Sequence, residues 1–506
     1  MGEPRCFHVV SACRRVRTCA IALALVGTVS LVVACSGDTT EGTGIAPTMS
    51  VPMTPATPGS ETTTTSSPSV PQVSLVQVFG GSVSADENPT AEFVGNMADV
   101  DESGMAAVTI GSSGFVAGGF SHTVAVGGTD AAVWVSPDGR SWQRVADEGG
   151  VFGDAMSVNG AESDQFISDV AGGNLGVVAV GADGRVLDFD AAVWFSSDGA
   201  VWERSPDDSS VLGGDGNQFM HAVIQVGGLV VAVGESDDEA AAWVSEDGRQ
   251  WSHAEVADDS DGVVDPSVML DVAATSDGLI AVGGAGVDSH SAVWLSADGF
   301  TWSRLPDSMA GQQSGFETGM RPMTAVAVGE QGVVAIGAQL LPDEDPSYAD
   351  SSTSGPLVWR SADGVVWELL DTTFVELPQE RESSRYAYLK RGSPVVLEDV
   401  ILVGDWLLAI GRYESAPSAD ALPGFATLWA SGDGGVTWEI ADETNFEPAE
   451  LWKPPELWRG ARALSRSADS VVVVGIDSVP AGEHPEYGWT AWAITPSVWI
   501  ADLPAS

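Results

Sequence analysis

Lysine is almost missing from this 506-residue chain: Lys390 and Lys453 are the only two, set against 71 acidic residues and a formal net charge of −50. Phosphate recognition needs clustered Lys and Arg, so this balance argues against nucleic acid as a partner, and against anionic lipid. Cysteine is equally scarce. Cys6, Cys13, Cys19 and Cys35 are the full set, so nothing beyond residue 35 can form a disulfide, a thiolate zinc site or a thiol nucleophile. Six histidines occur without HxH or HExxH spacing. No Walker loop, dinucleotide fingerprint or G-x-S-x-G elbow stands in a strand-to-helix context. The acidic stretch ADDSDGVVD (257–265) has Ala257 where a Ca²⁺ loop places its first Asp, and it lacks the distal Glu. It reads as a solvated turn. No cofactor or metal is expected, although the acidic surface leaves room for loose Ca²⁺ binding.

The amino-terminal segment has the features of an export signal. Arg14, Arg15 and Arg17 precede an apolar run from Ala20 to Ala34, too short to span a bilayer comfortably. Its end, Val32-Val33-Ala34-Cys35, resembles a bacterial lipobox, in which the cysteine becomes the acylated amino terminus. The resemblance implies a signal peptide over 1–34, lipidation at Cys35, and attachment to the membrane through that anchor alone. The expected location is the bacterial cell envelope, on the outer side of the cytoplasmic membrane. Residues 35–72 are rich in Ser, Thr, Pro and Gly and nearly free of large apolar side chains. Such a segment cannot bury enough surface to offset its ordering entropy, so a disordered stalk is expected. Removing 1–34 shifts the formal charge to −53.

From residue 73 the chain repeats itself. The runs AAVWVSPDGRSW, AAVWFSSDGAVW, AAAWVSEDGRQW, SAVWLSADGFTW, PLVWRSADGVVW and ATLWASGDGGVTW recur in order, and TAWAITPSVW is a degenerate seventh. Between them lie seven short β-branched runs of VAVG type, ending at Gly119, Gly181, Gly234, Gly283, Gly337, Gly411 and Gly475. An apolar residue (Val108, Val170, Val223, Val272, Val326, Val400, Leu464) stands 11 positions before each glycine. Four short β segments per repeat, here a to d, with Asp-Gly turns between c and d, predict antiparallel hairpins. Repeated seven times, they predict an all-β, seven-bladed propeller over 73–506.

Spacing divides the propeller into two faces. Segments a and b are always 11 apart, and the c and d tryptophans are 8 apart in five copies, then 9 and 7. The b-to-c connections run from 9 to 22 residues and the d-to-a connections from 21 to 33. In an antiparallel four-stranded blade the a–b and c–d turns emerge on one face and the b–c and d–a connections on the opposite one. All length variation therefore falls on one face, where insertions in repeat proteins usually carry binding. An extra strand within SLVQVFGGSVS (74–84) is expected to pair onto blade seven, whose own d segment, Ser497 to Ile500, is short.

The turn SGDGGVTW (431–438) fits S-x-D-x-G-x-T-W and resembles the Asp-box of bacterial sialidases; the five shorter copies lack one residue of it. On these motifs the repeat region resembles the Asp-box (BNR-repeat) superfamily of propellers. That group includes sialidases, other glycoside hydrolases, sortilin-type receptors and a photosystem assembly factor. The resemblance implies the fold without an activity. Asp138, Asp198, Asp247, Asp298, Asp363 and Asp433 are expected to organise their turns by accepting backbone N–H groups. The tryptophan that follows should bury roughly 200 Å², worth about 5 kcal/mol gross.

A sialidase, as the family implies, needs an arginine triad, a Tyr–Glu pair and an Asp acid/base. Its first arginine stands in an F/Y-R-I-P motif near the start of the propeller, where this chain has ESGMAAVTIG. No catalytic residue is therefore assigned. Arg321 and Arg462 lie near the start of inner strands and are candidates for the channel. Of the 18 tryptophans, Trp406, Trp452, Trp458 and Trp489 fall outside the repeat positions. Trp452, Trp458 and Trp489, with Arg459 and Tyr487, lie in variable connections around blades six and seven. Aromatic faces flanked by Arg suit a sugar ring or a protein hot spot. The expected role is non-catalytic binding or scaffolding of an envelope protein or glycan; a glycoside hydrolase of sialidase-like type is the alternative.

Overall fold

The computed structural model describes residues 75–79 and most of 101–503; the longer stretches outside it within that span are 154–162, 258–265, 312–320, 342–351, 375–394, 414–425, 443–457 and 484–489. The described residues form seven sheets, five of four strands and two of five, and include no helix. Within blades one to six four strands follow sequence order, antiparallel from inside to outside; blades four and six add a fifth, parallel strand at the outer edge, and the outermost strand of blade seven comes from the amino-terminal end of the described residues. The inner strands are Asp101–Gly111, Asp164–Gly173, Gln218–Val226, Ser267–Thr275, Met323–Gly329, Val395–Val403 and Trp458–Arg466. Each packs beside the next, and the last packs beside the first, so the ring is closed.

The seven apolar positions of segment a are buried, from Val400 at 3% exposure to Val108 at 8%. They pack between blades with the c-strand tryptophans, of which Trp194 and Trp243 are fully buried. Every inner strand also carries one extra residue against its partner: Ala106, Ser168, His221, Leu270, Thr324, Glu398 or Arg462. The residue before each bulge pairs with the repeating glycine of segment b, as Met220 does with Gly234. That register explains the glycine. A β-carbon on Gly234 would stand 1.8 Å from the Phe219 carbonyl oxygen, and at Gly181 1.9 Å from that of Phe166.

Ring closure follows the expected strand with one correction. Val76–Phe79 pairs antiparallel with the strand Thr490–Asp502, as outermost strand of blade seven. Trp499, however, is no d-strand tryptophan. It pairs with Val473, just as Trp243 pairs with Ala232, so it holds the c position that the sequence spacing assigns to Trp492. Trp492 lies farther out on the same long strand, opposite Pro480. The segment Ser497 to Ile500 is therefore c strand, and the d position is filled entirely by the amino-terminal strand.

Candidate functional site

The six Ser-Asp-Gly turns are built alike. The Ser hydroxyl bonds the Asp Oδ1 at 2.9 Å (Ser431–Asp433) to 3.4 Å (Ser296–Asp298). That same oxygen accepts two N–H groups of the turn, as Asp198 does from Ala200 at 2.9 Å and Val201 at 3.0 Å. A glycine of each turn sits at positive φ, 83° at Gly199, and in five of the turns its carbonyl accepts the indole N–H of the following tryptophan, as Gly199 does from Trp202 at 2.8 Å; in blade three the Trp251 indole makes no such bond. Backbone N–H donors hold Asp138, Asp198, Asp247, Asp298 and Asp363 below the usual carboxylate range. At Asp433 partial burial acts the other way, yet the donors Thr437 and Ser431 prevail. One oxygen of each of the six carboxylates is thus occupied by its own turn.

These turns share a face with the a–b turns. A β-carbon on Gly114 or Gly278 would lie 2.2 Å from the carbonyl oxygen of Ser136 or Ser296, each the serine that opens its blade's turn. The a–b glycines tuck under the Ser-Asp-Gly turns because only a hydrogen fits there. Trp406 also lies on this face, its ring against Gly432. The variable connections emerge opposite.

The sequence-derived candidates are not gathered into one place by the described residues. Trp452, Tyr487 and Trp489 lie outside them, as do Cys35 and the acidic stretch beyond Ala257. Trp458 and Arg459 begin the inner strand of blade seven, opposite Ser478 and Asp477. Arg321 precedes the inner strand of blade five, where its N–H donates to the Ser289 carbonyl at 3.0 Å. It is half-buried, and desolvation lowers its pKa. Arg462 is the bulge residue of blade seven, 3.9 Å from Glu398, the bulge residue of blade six, and both side chains are nine-tenths buried. Burial pushes Arg462 down to about 10. Arg321 and Arg462 thus stand two blades apart, on blades five and seven.

Three inner-strand carboxylates went unrecognised from sequence. Asp169, Asp271 and Asp399 immediately follow the bulges of blades two, four and six. One oxygen of each accepts the N–H of the next residue, Val170, Val272 or Val400, at 2.7 Å. The other accepts an N–H from the following blade: Val223 at 2.8 Å, Val326 at 2.7 Å or Leu464 at 2.7 Å. The signal was present as Asp-Val in even blades against Ala-Val or Ala-Leu in odd ones. A second buried pair lies in blade three, where His221 Nε2 is 3.9 Å from Glu235 Oε1 beside the rings of Phe166, Phe189 and Phe219. Among the described residues no group of three or more His, Cys, Asp or Glu could hold a metal ion.

No family model matches the chain, and no curated protein matches it. Solved structures do resemble it. A putative glycoside hydrolase from Parabacteroides distasonis aligns over 67% of this chain and 88% of its own, at 13% identity and TM-score 0.33. Trypanosoma rangeli sialidase in complex with the inhibitor DANA aligns over 79% of this chain at 12% identity and TM-score 0.39, and the alignment spans 55% of that enzyme. A protein of unknown function from Dyadobacter fermentans aligns over 86% of this chain and 100% of its own, at 12% identity and TM-score 0.39. At these identities the likeness is one of fold and extends to no residue.

Proposed function

We propose that this chain is a non-catalytic binding or scaffolding propeller, held by a lipid on Cys35 at the outer side of a bacterial cytoplasmic membrane. Its partner is an envelope protein or glycan, met on the face of variable connections. The observation that carries the reading is the engagement of the titratable groups along the inner strands. Asp169, Asp271 and Asp399 each spend both oxygens on backbone N–H donors. Glu398 and Arg462 face each other. A general acid or nucleophile needs an oxygen free to reach the substrate, and these carboxylates serve the wall instead.

The closing strand supports the orientation. Val76 pairs with Ile500 and Phe79 with Val498, so the strand starts at the turn face, beside the end where Asp502 meets Arg140 of blade one at 2.6 Å. A tether entering there leaves the variable face turned away from the membrane. Aromatic residues expected on that face, Trp458 and Trp489 with Arg459 and Tyr487, are the proposed contacts.

Two measurements test this. Cys35→Ala should release the protein from the membrane fraction into the medium; unchanged membrane retention contradicts the anchor. On a glycan array and in a hydrolysis screen, the chain from Gln72 onward should bind without turnover. Binding should fall at least tenfold, about 1.4 kcal/mol, with Trp458→Ala or Trp489→Ala. Turnover of a sialoside that disappears with Arg321→Ala, in a variant that keeps its β circular dichroism, would establish the glycoside hydrolase instead.

A further inference from the structure

We propose that Asp169, Asp271 and Asp399 are pH-sensitive clamps that fasten the blades in pairs, two to three, four to five and six to seven. The inner strand is the free edge of its sheet, so its channel-side N–H groups have no ladder partner. One carboxylate after the bulge satisfies such a group in its own blade and the matching group in the next, at 2.7–2.8 Å throughout. The corresponding residues of blades one, three, five and seven are Ala107, Ala222, Ala325 and Ala463. Blades three, five and seven need no carboxylate of their own, because the preceding blade supplies it. Seven is odd, and blade one is left over.

The intervening seams are fastened elsewhere. Glu255–Ala257, which leaves blade three, pairs parallel with the outer strand Thr301–Arg304 of blade four. Thr373–Phe374, which leaves blade five, pairs in the same way with Thr437–Asp442 of blade six. Between blades one and two, Gly172 N–H donates to Thr109 Oγ1 at 3.0 Å. Between seven and one stands the Arg140–Asp502 ion pair. None of these four contacts rests on a buried carboxylate.

Their surroundings make them titrate late. Burial raises Asp169 to about 7, Asp399 to about 6, and Asp271 well above the usual range, while the N–H donors pull each down. Asp271 is raised further by the charges of Asp399 and Asp169, and Asp169 by that of Asp399. The neighbouring bulge residues are Ser168 and His221 by Asp169, Leu270 and Thr324 by Asp271, and the mutually facing Glu398 and Arg462 by Asp399. A carboxylate raised in the folded state keeps its proton where the unfolded chain, near 3.8, has lost it. Its contribution to stability is therefore full below about pH 4 and is lost as pH rises through about 6 to 7. The turn carboxylates have the opposite sign: their stabilisation is present above the unfolded value and lost as pH falls through their depressed ones.

The test is urea unfolding of the full exported chain from about pH 5 to about pH 8. The wild type should lose stability across this range more steeply than the Asp169→Asn, Asp271→Asn, Asp399→Asn triple variant, whereas Asp198→Asn should leave the slope unchanged. Net-charge repulsion contributes nearly equally to both proteins, so the difference between slopes isolates the clamps. Equal slopes overturn the proposal. Should the triple variant not fold, ¹³C-carboxylate NMR of the wild type decides: two aspartates must titrate near neutral pH and a third well above the usual carboxylate range. Aspartates that all titrate below about pH 5 overturn it.

Discussion

Removing the residues before position 80 should open the ring. Leu75 is fully buried in one core cluster with Trp499 and Val473, and Val78 packs against a second cluster containing Val472 and Ile500. Losing Leu75 alone costs about 2–3 kcal/mol of apolar burial. The truncation also strips the hydrogen-bonded partner from Thr490–Asp502 and leaves that strand as a free edge, a template for pairing with another chain. A chain beginning at residue 80 should therefore unfold at lower urea than one beginning at Gln72, by about 5 kcal/mol, and self-associate in a concentration-dependent way by light scattering. Leu75→Ala, which keeps the strand, should cost about 2–5 kcal/mol without that association. Equal midpoints for the two truncations would show that the ring is closed by something else.

Gly234→Ala should destabilise by more than about 4 kcal/mol, the range reserved for core strain rather than surface change. The new methyl group would sit 1.8 Å from the Phe219 carbonyl oxygen and 2.9 Å from its carbon, both backbone atoms of the adjacent inner strand. Relief would require the bulge after Met220 to be pulled out, and with it the register that buries Val223. Gly432→Ala is the internal comparison. Its methyl would meet only the far edge of the Trp406 ring at 2.8 Å, which can swing, so a loss below about 1 kcal/mol is expected. Similar losses at both positions, measured by chemical unfolding, would mean that glycine in segment b reflects something other than close backbone approach.

Much of this architecture was legible in the repeats. An 11-residue a-to-b spacing and a nearly constant c-to-d spacing follow from tight turns between neighbouring strands, which are local and leave a local trace. The Asp-Gly turns were legible for the same reason: a carboxylate, two N–H groups and a glycine at positive φ lie within four or five residues. The division into a uniform and a variable face came from counting connection lengths. Trp499 was misplaced because its seven-residue distance from Trp492 imitates a c–d hairpin, while its true register is set by Val473 and its outer neighbour comes from Gln77. The run SLVQVFGGSVS announced a closing strand, but no local pattern fixes its register against a strand at the other end of the chain.

The sequence by itself determined the number of blades, the order of strands a to d in blades one to six, the turns that staple them and the face on which variation is allowed, because each depends on contacts between consecutive segments. The tertiary structure alone decided that Trp499 belongs to the c strand, that Arg462 is paired with Glu398, and that Asp169, Asp271 and Asp399 each hold two blades. The contacts between blades join residues 54 to 65 positions apart, and Trp499 takes its place from Val473 on one side and Gln77 on the other. The alternation of Asp-Val with Ala-Val and Ala-Leu was visible in the chain. Its meaning appeared only when each carboxylate was found beside the N–H of the next blade.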